Sequence, residues 1–176
     1  MKQLLTILCL VLLSSYSYSE DLPLNGPYEM FYENGQLEFR GTYKDGKGEG
    51  FREVFYENGQ LRIKGNLKGG ELDGLWEWFH DNGQLRIRGN FKDGKEDGPG
   101  ETYYKSGQLR SKLNNKNGEL HGLWEYFDEN GHLESRKNYK NGEQDGLQEI
   151  YNENGSFWGK ICYKNDEIVD MSYCKD

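Results

Sequence analysis

The chain has 176 residues and a formal net charge of −8 at pH 7, and 30% of its residues are charged. An acidic chain repels nucleic-acid phosphates and anionic membrane surfaces, so general binding to either is disfavoured. The 24 glycines, 3 prolines and 14% aromatic residues suit a β-sheet with many tight turns better than a thick globular core. The aromatic content also argues against disorder.

The first segment in chain order is typical of a secretory signal peptide. Lys2 precedes an apolar run at residues 4–13, and small residues end the segment at Ser19. The run is too short for a transmembrane helix, which needs about 20 apolar residues. We predict a signal peptide at 1–19, export to the periplasm, cell surface or medium, no integral membrane segment after cleavage, and a short linker at 20–25. Loss of Lys2 takes the net charge from −8 to −9. A lipoprotein anchored at Cys9 is disfavoured because the bulky Leu8 precedes it.

Six copies of a 24-residue unit follow without insertion or deletion. Each unit is numbered here from its first glycine. Position 10 is always Gly, position 19 is always Lys, and position 12 is Leu in five units and Phe157 in the sixth. Repetition at this period predicts one supersecondary structure per unit. The units span 26–49, 50–73, 74–97, 98–121, 122–145 and 146–163, and a C-terminal capping tail spans 164–176.

Each unit carries two turn signals. Asn-Gly at positions 9 and 10 (Ser106-Gly107 in the fourth unit) predicts a two-residue hairpin turn that pairs position 8 with position 11. A charged, glycine-rich segment such as 93–98 predicts the turn to the next unit. The runs between the turns favour strands and lack the 3.6-residue period of a helix. We predict an all-β fold: an elongated, open and twisted antiparallel meander of about twelve strands, made of six hairpins.

The predicted hairpin places an acid opposite a base in every unit. Opposed positions sum to 19, so position 4 faces position 15. If the second turn pairs position 18 with position 1 of the next unit, position 15 also faces the next position 4. We call this surface the ladder face; it also carries an aromatic residue at position 6. Each exposed pair is worth only about 0.2–1 kcal/mol, so we expect the ladder to fix register more than stability. The glutamates are Glu29, Glu53, Glu77, Glu101, Glu125 and Glu149, and the bases are Arg40, Lys64, Arg88, Lys112, Arg136 and Lys160.

The opposite surface, here called the aromatic face, collects apolar side chains at positions 3, 5, 7, 12, 14 and 18. The predicted sheet gives this face roughly 1,300 Å², more than monomeric proteins usually expose. We therefore expect it to bind a protein partner or a second copy. Pro99-Gly100, Ser111 and Asn115 interrupt it in the fourth unit, which indicates a kink, a narrowing or a new neighbour, or else neutral drift of the repeat. The candidate binding residues are Tyr28, Tyr32, Phe39, Tyr56, Trp76, Trp78, Phe91, Trp124 and Tyr126.

The units read G-x-x-E-x-[FY]-[YH]-x-x-G-x-L, followed by K-[DN]-G-x-x-[DE]. This pattern resembles the MORN-repeat variant of bacterial proteins similar to the YwqK-type antitoxin family, and it covers Gly26 to about Lys164. The resemblance implies an open antiparallel sheet of successive hairpins that serves as an interaction scaffold. It also implies an alternative function, an antitoxin or immunity-like protein that neutralises a cognate toxin.

No motif predicts catalysis, a metal site or a cofactor. His80, His121 and His132 occupy three different repeat positions, so we expect ordinary surface or aromatic-substitute roles. The glutamate row could suggest a hydrolase with paired carboxylates, but each glutamate has an opposed base, so this alternative is the least favoured. The second-turn segments lack the oxygen spacing of a calcium loop. We expect a non-enzymatic, exported scaffold that presents aromatic and charged rows to a protein, a glycan or an envelope component.

Two cysteines remain after removal of the signal peptide, and an exported pair suggests a disulfide between Cys162 and Cys174. Cys162 has position 17, whereas Cys174 would take position 5 of a continued repeat, on the other face. A disulfide therefore requires the tail to leave the repeat register and fold back as a cap. The absence of glycine at residue 166 would permit this departure.

Overall fold

The computed structural model describes residues 23–175, so the predicted signal peptide at 1–19, with Cys9, lies outside the described residues. Residues 23–175 form one antiparallel sheet and, at its end, a short 3-10 helix at Met171–Cys174. The strands are β1 Gly26–Phe31, β2 Leu37–Lys44, β3 Lys47–Phe55, β4 Leu61–Lys68, β5 Glu71–Phe79, β6 Leu85–Lys92, β7 Lys95–Tyr103, β8 Leu109–Lys116, β9 Glu119–Leu120, β10 Gly122–Phe127, β11 Leu133–Lys140, β12 Glu143–Gln144, β13 Gly146–Tyr151, β14 Phe157–Lys164 and β15 Glu167–Val169.

The predicted all-β meander of hairpin repeats is confirmed. Strands follow one another across the sheet in chain order, with β9 and β12 off the main path. The sheet has fifteen strands rather than about twelve. Two long strands are each interrupted, at His121 and at Asp145, and β15 adds a further strand after the sixth unit.

The first turn of each unit is a three-residue loop, so the predicted two-residue turn is wrong. In the first unit the Tyr32 N–H donates to the Gln36 carbonyl at 2.8 Å, and the Gly35 N–H donates to the Tyr32 carbonyl at 2.9 Å. Gly35 has a φ of +79°, which completes a type I turn with a left-handed glycine. The Asn34 side chain accepts from the Gln36 N–H at 2.9 Å. The asparagine thus stabilises the loop with its side-chain oxygen rather than with a left-handed backbone.

A β-bulge after this loop gives the register that the ladder requires. Next to the loop Phe31 pairs with Leu37, but Met30 pairs with Phe39, so Glu38 is an extra residue on β2. The same shift occurs at position 13 in all six units. Beyond the bulge, opposed positions sum to 19 as predicted, and Glu29 lies opposite Arg40.

The two-residue turn with left-handed residues is the second turn, at positions 20 and 21. Asp45 and Gly46 have φ values of +51° and +73° and join the opposed residues Lys44 and Lys47, as in a type I′ hairpin. Position 18 therefore pairs with position 23 of the same unit, and the predicted pairing with position 1 of the next unit is wrong. A further irregularity, between Gly41 and Tyr43 of β2, restores the predicted register between units. As a result, Arg40 of β2 lies opposite Glu53 of β3.

The hydrophobic core lies on the aromatic face of the second and third units. It consists of Ile63, Leu67, Trp76 and Phe91. Trp76 is 2% exposed, and its indole N–H donates to the Asn66 carbonyl at 2.9 Å. A Cβ atom on Gly65 would overlap the Trp76 ring. Glycine at position 16 thus makes room for a large ring to lie flat on the neighbouring strand.

In the fourth unit the large side chain and the glycine change places between the opposed positions 3 and 16. Gly100 at position 3 lies opposite Leu113 at position 16, whereas Trp76 lies opposite Gly89 in the third unit. The Leu113 Cδ1 atom would lie 3.0 Å from a Cβ on Gly100, so the leucine fills the space above the glycine. The β7–β8 register matches that of the other hairpins. Pro99-Gly100 therefore changes the packing but not the strand pairing.

The C-terminal tail adds the last strand of the sheet and then folds back over β14 and β13. In β15, Val169 lies opposite Cys162. The chain then leaves the sheet at Asp170, whose carboxylate accepts from the Ser172 N–H at 2.8 Å and caps the 3-10 helix. A disulfide joins Cys162 to Cys174, with their Cα atoms 5.9 Å apart. The departure does not occur at residue 166, because Asp166 keeps the left-handed turn conformation with a φ of +66°.

Candidate binding surfaces

The ladder face connects neighbouring units more than it closes each hairpin. Every glutamate lies opposite its predicted base, but the shortest ion pairs join a base to the glutamate of the next unit. These pairs are Lys64–Glu77 at 2.7 Å, Arg88–Glu101 at 2.5 Å, and Arg40–Glu53. Arg136 contacts both neighbours, with Nε 2.9 Å from Glu125 and Nη1 3.8 Å from Glu149. The ladder thus ties the repeats to one another.

One ladder glutamate, Glu101, is held as an anion by its neighbours. Burial opposes ionisation of Glu101, but hydrogen bonds from Tyr103 and Arg88 outweigh it and lower the pKa of Glu101. The Tyr103 hydroxyl donates to the carboxylate at 2.6 Å. Burial and this hydrogen bond raise the pKa of Tyr103 to about 12. A carboxylate held by a cation and a phenol is suited to a structural role, whereas a general acid needs a raised pKa.

An apolar row on the ladder face was missed by the sequence analysis. Position 2 shares the parity of positions 4 and 6 and is apolar in all six units. Three of its side chains are about half exposed: Phe51 at 49%, Leu75 at 47% and Leu123 at 46%. The signal was present in the sequence, because the row is unbroken along the repeats. Its members are Pro27, Phe51, Leu75, Pro99, Leu123 and Leu147.

The aromatic face is less open than the sequence analysis expected. Phe39, Trp76 and Phe91 are buried, because glycines at position 16 let rings lie down on the sheet. These three residues are therefore removed from the candidate binding surface. The other six candidates, Tyr28, Tyr32, Tyr56, Trp78, Trp124 and Tyr126, are half-buried, and their role in binding stays a prediction.

Side chains at position 7 join each of the first four units to the next along the loop edge of the sheet. The Tyr32 hydroxyl donates to the Phe55 carbonyl at 2.7 Å, and the Tyr56 hydroxyl donates to the Phe79 carbonyl at 2.8 Å. His80 takes the equivalent place, with Nε2 3.3 Å from the Tyr103 carbonyl. These bonds fix the ring orientations, so the aromatic side chains form a row with a regular repeat.

The bulge at position 13 brings arginines to the aromatic face. The Arg110 guanidinium lies 5.7 Å from the Tyr104 ring centre and 5.5 Å from that of Tyr126, and its Nε donates to the Tyr126 hydroxyl at 3.0 Å. The Arg62 guanidinium lies 5.6 Å from the Tyr56 ring centre. Both arginines therefore stack on a ring of position 7, and Arg110 also stacks on a ring of position 5; cation–π attraction holds them there.

Polar side chains replace the apolar core in the fourth unit. The hydroxyls of Thr102 and Ser111 lie 2.7 Å apart, and the Asn115 side-chain amide donates to Glu96 at 2.9 Å. Ser111 and Asn115 are buried, and burial raises the pKa of Glu96. The interruption predicted for this unit is thus a change from apolar to hydrogen-bonded packing.

The three histidines lie apart in the fold and share no site. His80 belongs to the inter-unit row, His121 separates β9 from β10, and His132 contacts Asp128 at 3.3 Å in the fifth loop. Across residues 23–175, no group of three or more His, Cys, Asp or Glu side chains could hold a metal ion. Within the same residues, no helix has the length and apolar character needed to span a membrane.

The architecture defines a class of protein. Hairpins with the same register stack in one sheet, each contacting its neighbours, and equivalent side chains align in rows. This is the organisation of a solenoid-type repeat scaffold. The chain belongs to the MORN repeat variant family, which matches at residues 24–45, 49–68, 72–93, 96–117, 120–141 and 144–165.

Comparison with other proteins adds little to this assignment. No curated protein matches the chain. Solved structures with a local likeness include a mutant of S. aureus TarM in complex with Fondaparinux, alpha-GlcNAc-glycerol and UDP (14% identity, TM-score 0.37, 69% of this chain and 21% of that chain). A GtfA/B complex bound to UDP and GlcNAc matches at 12% identity and a TM-score of 0.28, over 86% of this chain and 28% of the other. Accessory secretory protein 1,2 and 3 in Streptococcus pneumoniae matches at 15% identity and a TM-score of 0.22, over 77% and 20%. The chain spans less than a third of each of these proteins, and likenesses this weak carry no argument about activity.

Proposed function

We propose that this chain is an exported, non-enzymatic repeat scaffold that binds a protein or an envelope component through the side-chain rows of its sheet. The observation that carries the proposal is the row at position 2, where Phe51, Leu75 and Leu123 each keep nearly half of their surface exposed. Aligned apolar side chains at a fixed spacing are costly to leave in water and are typical of interaction surfaces.

The surroundings of this row favour binding over catalysis. The neighbouring carboxylates are paired with cations, as in Lys64–Glu77 at 2.7 Å. Such a pair contributes to specificity and register when a partner covers it. The apolar row would supply contact area, and the charged ladder would set the orientation of the partner.

The proposed export rests on the residues before the sheet, from Lys2 to Ser19. N-terminal sequencing of the protein recovered from the exported fraction should begin at Glu20. A protein that keeps Met1 and remains in the cytoplasm would remove the export part of the proposal.

Binding is tested by capture from the exported fraction of the source cells. Wild-type protein on beads should retain a specific partner, and the variant Phe51→Ser, Leu75→Ser, Leu123→Ser should lose it while keeping its β-sheet circular dichroism. The matched control is Ile168→Ser, which changes an exposed apolar residue outside the row. Equal retention by the triple variant and the control would show that the row does not bind.

A further inference from the structure

Three arginines stand at the bulged position of consecutive units and form what we call the arginine row: Arg62, Arg86 and Arg110. Arg62 and Arg110 stack on tyrosine rings of the aromatic face, and Arg86 has the equivalent place on β6 between them. The corresponding residue is Glu38 in the first unit and Glu134 in the fifth. The row is therefore confined to the second, third and fourth units and has an acid at each end.

The arginine row differs from the ladder in its ion pairing. Ladder bases such as Lys64 and Arg88 lie 2.7 Å or less from a carboxylate. Among residues 23–175, no carboxylate lies within 4.0 Å of any guanidinium nitrogen of the arginine row. The Arg110 Nε donates to the Tyr126 hydroxyl, and the terminal guanidinium nitrogens are donors that suit paired bonds to a carboxylate. An acidic protein thus presents a row of three unpaired cations on one face.

The spacing of the row limits what can bind along it. The arginines stand two strands apart, which is about 9.6 Å at 4.8 Å per strand. A polyproline II segment repeats every three residues, or about 9.3 Å. Acidic side chains at every third residue of such a segment would meet successive arginines. Tyrosine rings flank the arginines: Tyr56 lies on the outer side of Arg62, and Tyr104 lies between Arg86 and Arg110. These two rings offer the aromatic surface that proline-rich segments recognise.

We propose that the arginine row is a docking site for an acidic, proline-rich segment of a partner protein in which a carboxylate recurs at every third residue. This inference rests on the proposed scaffold function and specifies its partner. A continuous polyphosphate or nucleic acid fits less well, because the chain carries a net charge of −8. The loop next to Arg62 also carries the carboxylate of Glu57, which would repel closely spaced phosphates.

The proposal is tested by calorimetric titration of the exported form, residues 20–176, with synthetic peptides. The probe is (Glu-Pro-Pro)5, the spacing control is (Glu-Pro-Pro-Pro)5 with the same charge, and the charge control is (Lys-Pro-Pro)5. The probe should bind at least tenfold more tightly than the spacing control, and the lysine peptide should not bind. Equal affinity for the two acidic peptides, or no binding of the probe at millimolar concentration, would overturn the proposal.

Matched variants separate the arginine row from general electrostatics. Arg62→Gln, Arg86→Gln, Arg110→Gln should weaken binding of the probe at least tenfold. The control Lys68→Gln, Lys92→Gln, Lys116→Gln removes the same charge from the same three units at the other edge of the sheet, and it should change affinity less than twofold. Replacement of the three arginines by lysine should give an intermediate loss, because the charge remains without the planar fork. An equal loss of affinity in the triple arginine-to-glutamine variant and in the triple lysine-to-glutamine control would contradict the proposal.

Two further outcomes distinguish this inference from the scaffold function on which it rests. Tighter binding of an inorganic polyphosphate than of the probe would assign the row to phosphate polymers and overturn the peptide proposal. Capture of a natural partner that survives the triple arginine substitution, but not the Phe51, Leu75 and Leu123 substitution, would leave the scaffold standing and reject the arginine row as its docking site.

Discussion

The packing of Trp76 over Gly65 gives a sharp prediction for the substitution Gly65→Ala. The added methyl group would overlap the Trp76 ring, and neighbouring core residues leave the ring little room to move. Overpacking of this kind costs about 1–3 kcal/mol, and replacing a strand glycine returns about 0.5–1 kcal/mol. We expect a net loss of up to about 2.5 kcal/mol.

The same repeat position supplies a matched control, Gly89→Ala. A Cβ there would lie 3.7 Å from the Phe91 ring, an ordinary contact, so we expect a gain of about 0.5–1 kcal/mol. The difference between the two variants therefore measures the clash itself. For a chain of this size, each kcal/mol moves the midpoint temperature by about 2–4 °C.

The assay is urea unfolding followed by tryptophan fluorescence and by circular dichroism. In a Trp76→Ala background the cost of Gly65→Ala should disappear, since the ring that it displaces is absent. Equal effects of the two alanine substitutions, or a more stable Gly65→Ala protein, would refute the packing described for this core.

Three other substitutions test the polar and covalent contacts. Glu96→Gln should raise stability at pH 7 and have little effect near pH 4. Burial raises the pKa of Glu96 in the folded protein, so between the ordinary carboxyl pKa and this raised pKa the folded state binds more protons than the unfolded state. The wild-type protein therefore loses stability as the pH rises through this range, and the glutamine variant does not. Thermal melts at both pH values check this, and a pH-independent gain would contradict it. Cys174→Ser should destabilise the C-terminal cap by up to about 3 kcal/mol, the value for a loop near 15 residues, seen as faster hydrogen exchange in β14 and β15 with little change in β1–β4. Glu77→Gln with Glu125→Gln should cost only about 0.4–2 kcal/mol in denaturant unfolding, since exposed pairs contribute about 0.2–1 kcal/mol each; a larger loss would mean that the ladder dominates stability.

The repeat made much of the fold predictable. Six aligned copies fixed the strand order and placed an acid opposite a base, because Glu29 and Arg40 recur at fixed positions in every unit. The details of the turns could not be obtained in this way. Asn-Gly is compatible with a type I′ turn, yet the asparagine side chain here stabilises a three-residue loop, and the bulge at position 13 then corrects the register.

The candidate surfaces were less predictable than the fold. Strict alternation along the strand would put position 13 on the ladder face with position 15, whereas the bulge puts the guanidiniums of Arg62 and Arg110 next to rings of the aromatic face. Burial of Trp76 depends on a glycine in the neighbouring unit, Gly65. The Arg110–Tyr126 and Trp76–Gly65 contacts join residues of different repeats, and a single-unit pattern does not contain them.

The central claim is that the bulge at position 13 sets the ladder register and turns the arginine row to the aromatic face. The most direct test is a nuclear Overhauser measurement across the third hairpin. Our account predicts backbone contacts between Phe79 and Leu85 and between Trp78 and Ile87, with Arg86 unpaired. A backbone contact pairing Phe79 with Arg86, as a two-residue turn requires, would contradict it.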